Sequence, residues 1–119
     1  MSSLVLKDAD LLRDECYVAG QWRRAVDGRT IAVTNPATGE AVATVPSLSV
    51  HETREAIEAA QAALAAWSAR TGKDRAAILH RWFELIMANQ DDLAAIMTAE
   101  QGKPLAESRG EIAYGASYI

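Results

Sequence analysis

Apolar residues recur at intervals of three and four between Asp74 and Pro104. Ile78, Leu79, Trp82, Phe83, Leu85 and Ile86 are followed by Leu93, Ile96 and Met97. This spacing places them along one side of a helix. Fully burying one of the larger of these side chains is worth about 1.5–3 kcal/mol, so the stretch is the predicted centre of packing for its neighbours. Asn89-Gln90-Asp91-Asp92 interrupts the apolar spacing. It predicts a kink, or two helices, between residues 74 and 101. At the far end, Gly102 suits the left-handed conformation that closes a helix, and Pro104 suits the first position of the next one.

Upstream, Ser49 and Glu52 have the spacing of a capping box, which predicts a helix start. Alanine, the best helix former, dominates residues 56–66. Ile57, Ala60, Leu64 and Trp67 share one predicted face, while Glu52, Arg54, Glu55, Glu58 and Gln61 fall mostly on the solvent side. Thr71-Gly72 breaks this helix, and Thr71 with Asp74 caps the next. Downstream, Pro104 opens a last predicted helix running through Tyr118. Gly110 and Gly115 lie inside it, each costing about 0.5–1 kcal/mol relative to alanine, which predicts a close approach by another backbone. Ile112, Tyr114, Tyr118 and Ile119 leave an apolar face in mid-pattern. That pattern predicts one slab of a larger body.

The first 46 residues read differently. Leu4, Leu11 and Leu12 among Asp8, Asp10 and Asp14 predict a short helix or helical turn, and residues 1–15 are set apart as an N-terminal segment. Cys16 to Trp22 is rich in β-formers and roughly alternating, which predicts one strand. Asp27-Gly28 predicts a tight turn, and Thr30 to Thr34 the returning strand. In Asn35-Pro36-Ala37-Thr38-Gly39-Glu40, Asn35 can bond its own backbone, Pro36 fixes φ and Gly39 accepts positive φ. Ala41 to Val45 makes a third strand, closed by Pro46. The whole is a small antiparallel meander over 16–46 followed by three or four helices over 49–119. Such a meander is marginal alone.

Composition narrows the function. Half of the 119 residues are apolar, which argues against intrinsic disorder. Twelve basic and 16 acidic residues give a net charge of −4 with no basic block, against nucleic acid as a partner. Cys16 is the single cysteine, so no internal disulfide forms, which suits a reducing cytosol. No apolar run approaches the roughly 18 residues of a membrane span, and residues 1–15 lack the pattern of a secretory signal.

Candidate chemistry is sparse. Cys16 has no histidine near it in sequence and reads as a small buried or half-buried thiol. His51 and His80 are too far apart for a metal signature. Glu52, Glu55 and Glu58 read as a solvated helix face, and Asp91-Asp92 as a helix start. Trp22, Trp67 and Trp82 read as core. Neither a Gly-x-Gly-x-x-Gly nor a phosphate loop occurs. On these grounds the chain contains no self-sufficient active site.

Three ordered stretches carry a resemblance: Tyr17-Val18-Ala19-Gly20-Gln21-Trp22, then Val33-Thr34-Asn35-Pro36-Ala37-Thr38-Gly39-Glu40, then Glu100-Gln101-Gly102-Lys103-Pro104-Leu105-Ala106-Glu107. Together they resemble the N-terminal quarter of an NAD(P)-dependent aldehyde dehydrogenase. Arg81-Trp82-Phe83, Asn89 to Leu93 and Gly110 to Ile119 resemble its bacterial succinate-semialdehyde branch. The resemblance implies an α/β fold, of which 16–119 is the N-terminal part of the cofactor-binding domain, ahead of the Rossmann core.

It also implies a chemistry. A cysteine attacks the aldehyde, hydride passes to NADP or NAD, a glutamate acts as base, and an asparagine with a backbone amide holds the oxyanion. All of these belong to downstream motifs, and Cys16 is not the nucleophile. Two roles carry over to this chain. Val33, Thr34 and Glu100 correspond to a monovalent cation site, although Glu100 is longer than the aspartate often found there. Glu111 and Ile112 correspond to the wall of the aldehyde tunnel. The implied partners are a small aldehyde, the rest of the polypeptide, and further copies in a dimer or tetramer, in the cytoplasm. The other reading is a short helical scaffold module that holds a partner on its open apolar face.

Overall fold

The computed structural model describes residues 4–119. Two small antiparallel hairpins precede four helices. The expected single strand over Cys16–Trp22 is instead a complete hairpin, β1 (Cys16–Val18) and β2 (Gln21–Arg23), with Tyr17 opposite Trp22. Its two-residue turn is Ala19-Gly20, with φ of 52° and 81°. Positive φ at both central positions gives the twist that a tight hairpin needs. Alanine seldom adopts it, so Gly20 alone marked the turn in the sequence.

β3 (Thr30–Thr34) pairs with β4 (Ala41–Pro46) as a second, separate sheet. The expected meander is thus two hairpins. The Asp27-Gly28 turn joins them without pairing them: the Gly28 N–H donates to the Ala25 carbonyl at 3.0 Å. The 35–40 turn forms as its residues dictate. Asn35 Oδ1 accepts from the Ala37 N–H at 2.9 Å, and Gly39 takes a φ of 73°.

The helices are α1 (Val50–Ser68), α2 (Gly72–Ala88), α3 (Gln90–Gln101) and α4 (Leu105–Ala116). Ser49 and Glu52 form the expected capping box, and Thr71 caps α2 through the Asp74 N–H. The predicted interruption at 89–92 separates α2 from α3. Gly102 closes α3 at φ 84°. Pro104 stands at the N-cap of α4, one residue before the position expected for it, and α4 ends at Ala116, short of Tyr118. Of the short helix or helical turn expected over 4–14, the turn forms, a 3-10 turn at Ala9–Leu11 capped by Asp8.

Two further expectations fail. Glu52 does not face solvent. It is 3% exposed, because the capping box turns its side chain back onto Ser49, where it also meets the Val26 N–H. A Cβ added at Gly110 or Gly115 would meet nothing within 4 Å, so no described backbone approaches either glycine.

The predicted packing centre is largely open. Trp82 is 55% exposed, with Ile78 and Leu85 nearly as open. On α1, Val50, Ile57 and Leu64 recur every two turns and are all exposed. The buried apolar residues among those described are Val18, Ala25, Ala94 and Ala116. The exposed surface of 8388 Å² compares with roughly 6,300 Å² for a compact monomer of this mass. The radius of gyration of 16.7 Å compares with about 13.5 Å for a compact domain of this length. Helices this amphipathic normally owe most of their stability to a covered apolar face, and here several such faces are bare.

Candidate functional site

Among the helices, the most extensive packing lies between α3 and α4, and it begins with small residues. Ala94 and Ser108 are fully buried, so the two helices come close. The Thr98 and Ser108 hydroxyls share a hydrogen bond of 2.8 Å, which satisfies the buried serine. The link between the helices is set by Gly102, whose N–H donates to the Thr98 carbonyl at 2.9 Å, and by Pro104, whose carbonyl accepts from Glu107 and Ser108.

A groove of 470 Å³ opens along this pair, lined by Leu93, Ile96, Met97, Glu100, Gln101, Lys103, Glu111 and Ile112. Its floor is apolar. Its rim carries two carboxylates, Glu100 and Glu111, and one ammonium. Lys103 is mostly buried along its stem and pairs with Glu111. The groove can therefore hold a small, partly apolar molecule with a polar end. Glu111 and Ile112, expected on a tunnel wall, both line it, and Glu100 joins them.

The other expected residues lie elsewhere. Val33 and Thr34 sit on β3, which lies against α3 but does not line the groove. Pro36, just beyond β3, touches the α3 terminus: a Cβ on Gly102 would stand 2.7 Å from its Cγ. Among the described residues no group of three or more His, Cys, Asp or Glu side chains is arranged to hold a metal. Cys16 is a free, half-buried thiol at the start of β1. His51 and His80 each face a glutamate one turn on, Glu55 and Glu84, at 3.5 Å on exposed helix surfaces. The described residues offer no nucleophile paired with a base.

Reading the residues alone missed two acceptors. Glu52 receives the Ser49 N–H at 2.7 Å and the Val26 N–H at 2.8 Å. Its carboxyl is held far below the ordinary 4.5, at about 2, first by the Ser49 amide and then by the Val26 amide. Asp92 receives the Lys7 and Asp8 amides at 3.1 and 2.8 Å, and these hold its carboxyl below the usual range. The capping-box spacing already contained the signal for Glu52. For Asp92 none existed, since its partners are more than 80 residues away in sequence.

A second apolar hollow of 690 Å³ lies between α2 and the end of α4, against Leu79, Phe83, Ala116 and Ile119. Among the described residues no helix is long and apolar enough to cross a membrane.

Comparison with known proteins identifies this arrangement. The profile of the aldehyde dehydrogenase family matches residues 22–119. Glutarate-semialdehyde dehydrogenase of Pseudomonas putida is 62% identical over 114 residues, covering 96% of this chain and 24% of that enzyme. The NADP-specified succinate-semialdehyde dehydrogenase GabD of Escherichia coli K12 is 54% identical, also over 96% of this chain and 24% of its own length. The crystal structure of an aldehyde dehydrogenase from Brucella melitensis biovar abortus superposes with a TM-score of 0.94 at 59% identity, covering 95% of this chain and 23% of that one. The chain thus spans about a quarter of the length of the relatives it matches.

Proposed function

Because the chain belongs to the aldehyde dehydrogenase family, we propose that it works as the N-terminal part of a cofactor-binding domain in an enzyme that oxidises a short semialdehyde to its acid. The substrate is succinate semialdehyde or a close relative such as glutarate semialdehyde, and hydride passes to NADP or NAD. One observation carries this reading. Nearly the whole described chain, loosely packed as it is, superposes on about a quarter of an intact aldehyde dehydrogenase. Bare apolar faces on α1, α2 and α4 are what such a part needs if the rest of the enzyme covers them. No observation favours the scaffold module.

Within that enzyme this chain supplies shape, not bond-making groups. The α3–α4 groove forms part of the aldehyde's approach, with Ile112 setting its width and the Glu111–Lys103 pair its polar edge. Val33, Thr34 and Glu100 contribute to a monovalent cation site, where the Val33 and Thr34 carbonyls and the Glu100 carboxylate supply the hard oxygen donors that such an ion takes. The nicotinamide and its phosphates are held by residues beyond this chain. The enzyme assembles as a dimer or tetramer in the cytoplasm.

The direct test is an absorbance assay of nicotinamide reduction by the longest natural polypeptide that contains this sequence. Succinate and glutarate semialdehydes are each offered with NADP and with NAD. Turnover of either semialdehyde is expected; turnover of neither, by a folded protein, ends the reading. In the same protein, Ile112→Trp is expected to raise KM for the semialdehyde by about tenfold or more, the effect of misfitting a small pocket by a group or two, while KM for the nicotinamide stays put. An equal change in both would remove Ile112 from the aldehyde path.

A further inference from the structure

The first turn of α3 is bonded on two sides. On one side lies the segment 4–12. It carries Leu4, Leu6, Leu11 and Leu12, all half-buried, and no residue of it is fully buried. Its polar tie is double: both oxygens of the nearly buried Asp92 carboxylate accept backbone N–H groups, from Lys7 at 3.1 Å and Asp8 at 2.8 Å. The Lys7 ammonium adds a longer contact to Asp91, at 3.6 Å. A cavity of 120 Å³ lies beneath this crossing, between Lys7 and residues 87–92 at the α2–α3 junction.

On the other side lies α4. Asp91 accepts from Arg109 Nε at 3.0 Å, and Gln90 Nε2 donates to the Arg109 carbonyl at 2.9 Å. Arg109 stands two and three residues before Glu111 and Ile112 on the same helix. Gln90, Asp91 and Asp92 are consecutive, so any shift in the backbone of that turn is felt on both sides.

We propose that the first turn of α3 is a two-sided latch, in which Asp92 straps residues 4–12 over the α2–α3 junction, Asp91 and Gln90 hold α4 at Arg109, and docking of the strap fixes the groove wall at Glu111 and Ile112. Asp92 is then a positioning residue for the aldehyde groove, and the N-terminal segment is the element it commands. The claim about the groove rests on the aldehyde dehydrogenase reading; the claim about the strap does not.

The experiment uses the full natural polypeptide in four forms: wild type, Asp92→Ala, a variant lacking residues 1–12, and the two changes combined. Backbone hydrogen exchange is followed by mass spectrometry, and the kinetics with semialdehyde are measured alongside. In Asp92→Ala, amides of 4–12 are expected to exchange about tenfold faster or more, with faster exchange also along 105–116 and none along 50–68. KM for the semialdehyde is expected to rise several-fold, while KM for the nicotinamide and kcat stay near wild type. The deletion is expected to reproduce the effects on 105–116 and KM, and the combined variant to add nothing, as coupled sites behave. Unchanged exchange in the strap of Asp92→Ala would overturn the latch. So would a freed strap with α4 and KM unmoved, or an effect that persists in full when Asp92 is changed in the protein already lacking the strap. If Asp92→Ala does not fold, the deletion carries the test through α4 exchange and KM. A protein that oxidises neither semialdehyde defeats the functional reading, and strap and α4 exchange then still decide the latch.

Discussion

Glu52→Gln is expected to loosen the whole N-terminal third and to flatten the acid limb of the stability profile. The Glu52 carboxylate caps α1 by accepting the Ser49 N–H, and it anchors the loop after β2 by accepting the Val26 N–H. Arg23, on β2, adds a favourable charge and is itself bonded to Glu55 on α1 at 3.1 Å. A glutamine offers one acceptor oxygen, and its amide group would face an N–H donor. Ser49→Ala removes only the other half of the box and is expected to cost about 1 kcal/mol. Glu52→Gln is expected to cost more, because one of the two amides, Ser49 or Val26, is left facing an N–H donor in a nearly buried place and the charge that strengthens both bonds is lost.

The pH dependence has a definite sign. The folded-state pKa is lowered from the ordinary 4.5 to about 2, so the folded protein binds this proton less readily than the unfolded chain. The stabilisation is complete above 4.5 and is lost as pH falls from there towards about 2. Denaturant titrations through that window should show wild type losing stability more steeply than Glu52→Gln. Parallel curves would remove Glu52 from its role.

Gly102→Ala is the second large effect. Gly102 has a φ of 84°, and its missing side chain leaves room for the Pro36 ring. Alanine there meets the left-handed penalty, about 1–2 kcal/mol, and a clash of its methyl group with the Pro36 ring, of the kind that costs about 1–3 kcal/mol. The sum, roughly 2–5 kcal/mol, is expected as a lowered urea midpoint at constant slope. Gly39 makes the control. It has a φ of 73° with nothing within 4 Å of an added Cβ, so Gly39→Ala should show only the conformational part, about 1–2 kcal/mol. Equal losses at the two glycines would mean that Pro36 does not press on the α3 terminus. Because Gly102 sets the link into α4, the same change is expected to disturb the groove at Lys103 and Glu111.

What could be read in the sequence was what neighbours in sequence decide. The start of α1, the break at Thr71-Gly72, the α2–α3 interruption, the αL stop at Gly102 and the Asn35–Glu40 turn all depend on residues a few positions apart, and all formed. The hairpin at 16–23 escaped because an alanine holds its positive φ, a conformation forced by strand pairing and not by residue type. Glu52 and Asp92 were misjudged because their second partners, Val26 and the 7–8 amides, come from far along the chain. The groove shows the same division. Glu111 and Ile112 were singled out only through resemblance, since no spacing ties them to Leu93 or Met97. What joins them is the close contact of α3 and α4 through Ala94 and Ser108, a tertiary fact. The expectation that the central apolar stretch gathers its neighbours failed for a related reason. Periodicity shows which face wants covering, but not whether this chain contains the cover.

We propose this chain as one wall of a larger aldehyde-oxidising enzyme, a wall that does not bind the nicotinamide by itself. Calorimetric titration of NADP against the 119-residue chain, with the full natural polypeptide in parallel, tests it most directly. Saturable heat is expected from the longer polypeptide alone. Saturable binding in the micromolar range by the short chain would contradict it.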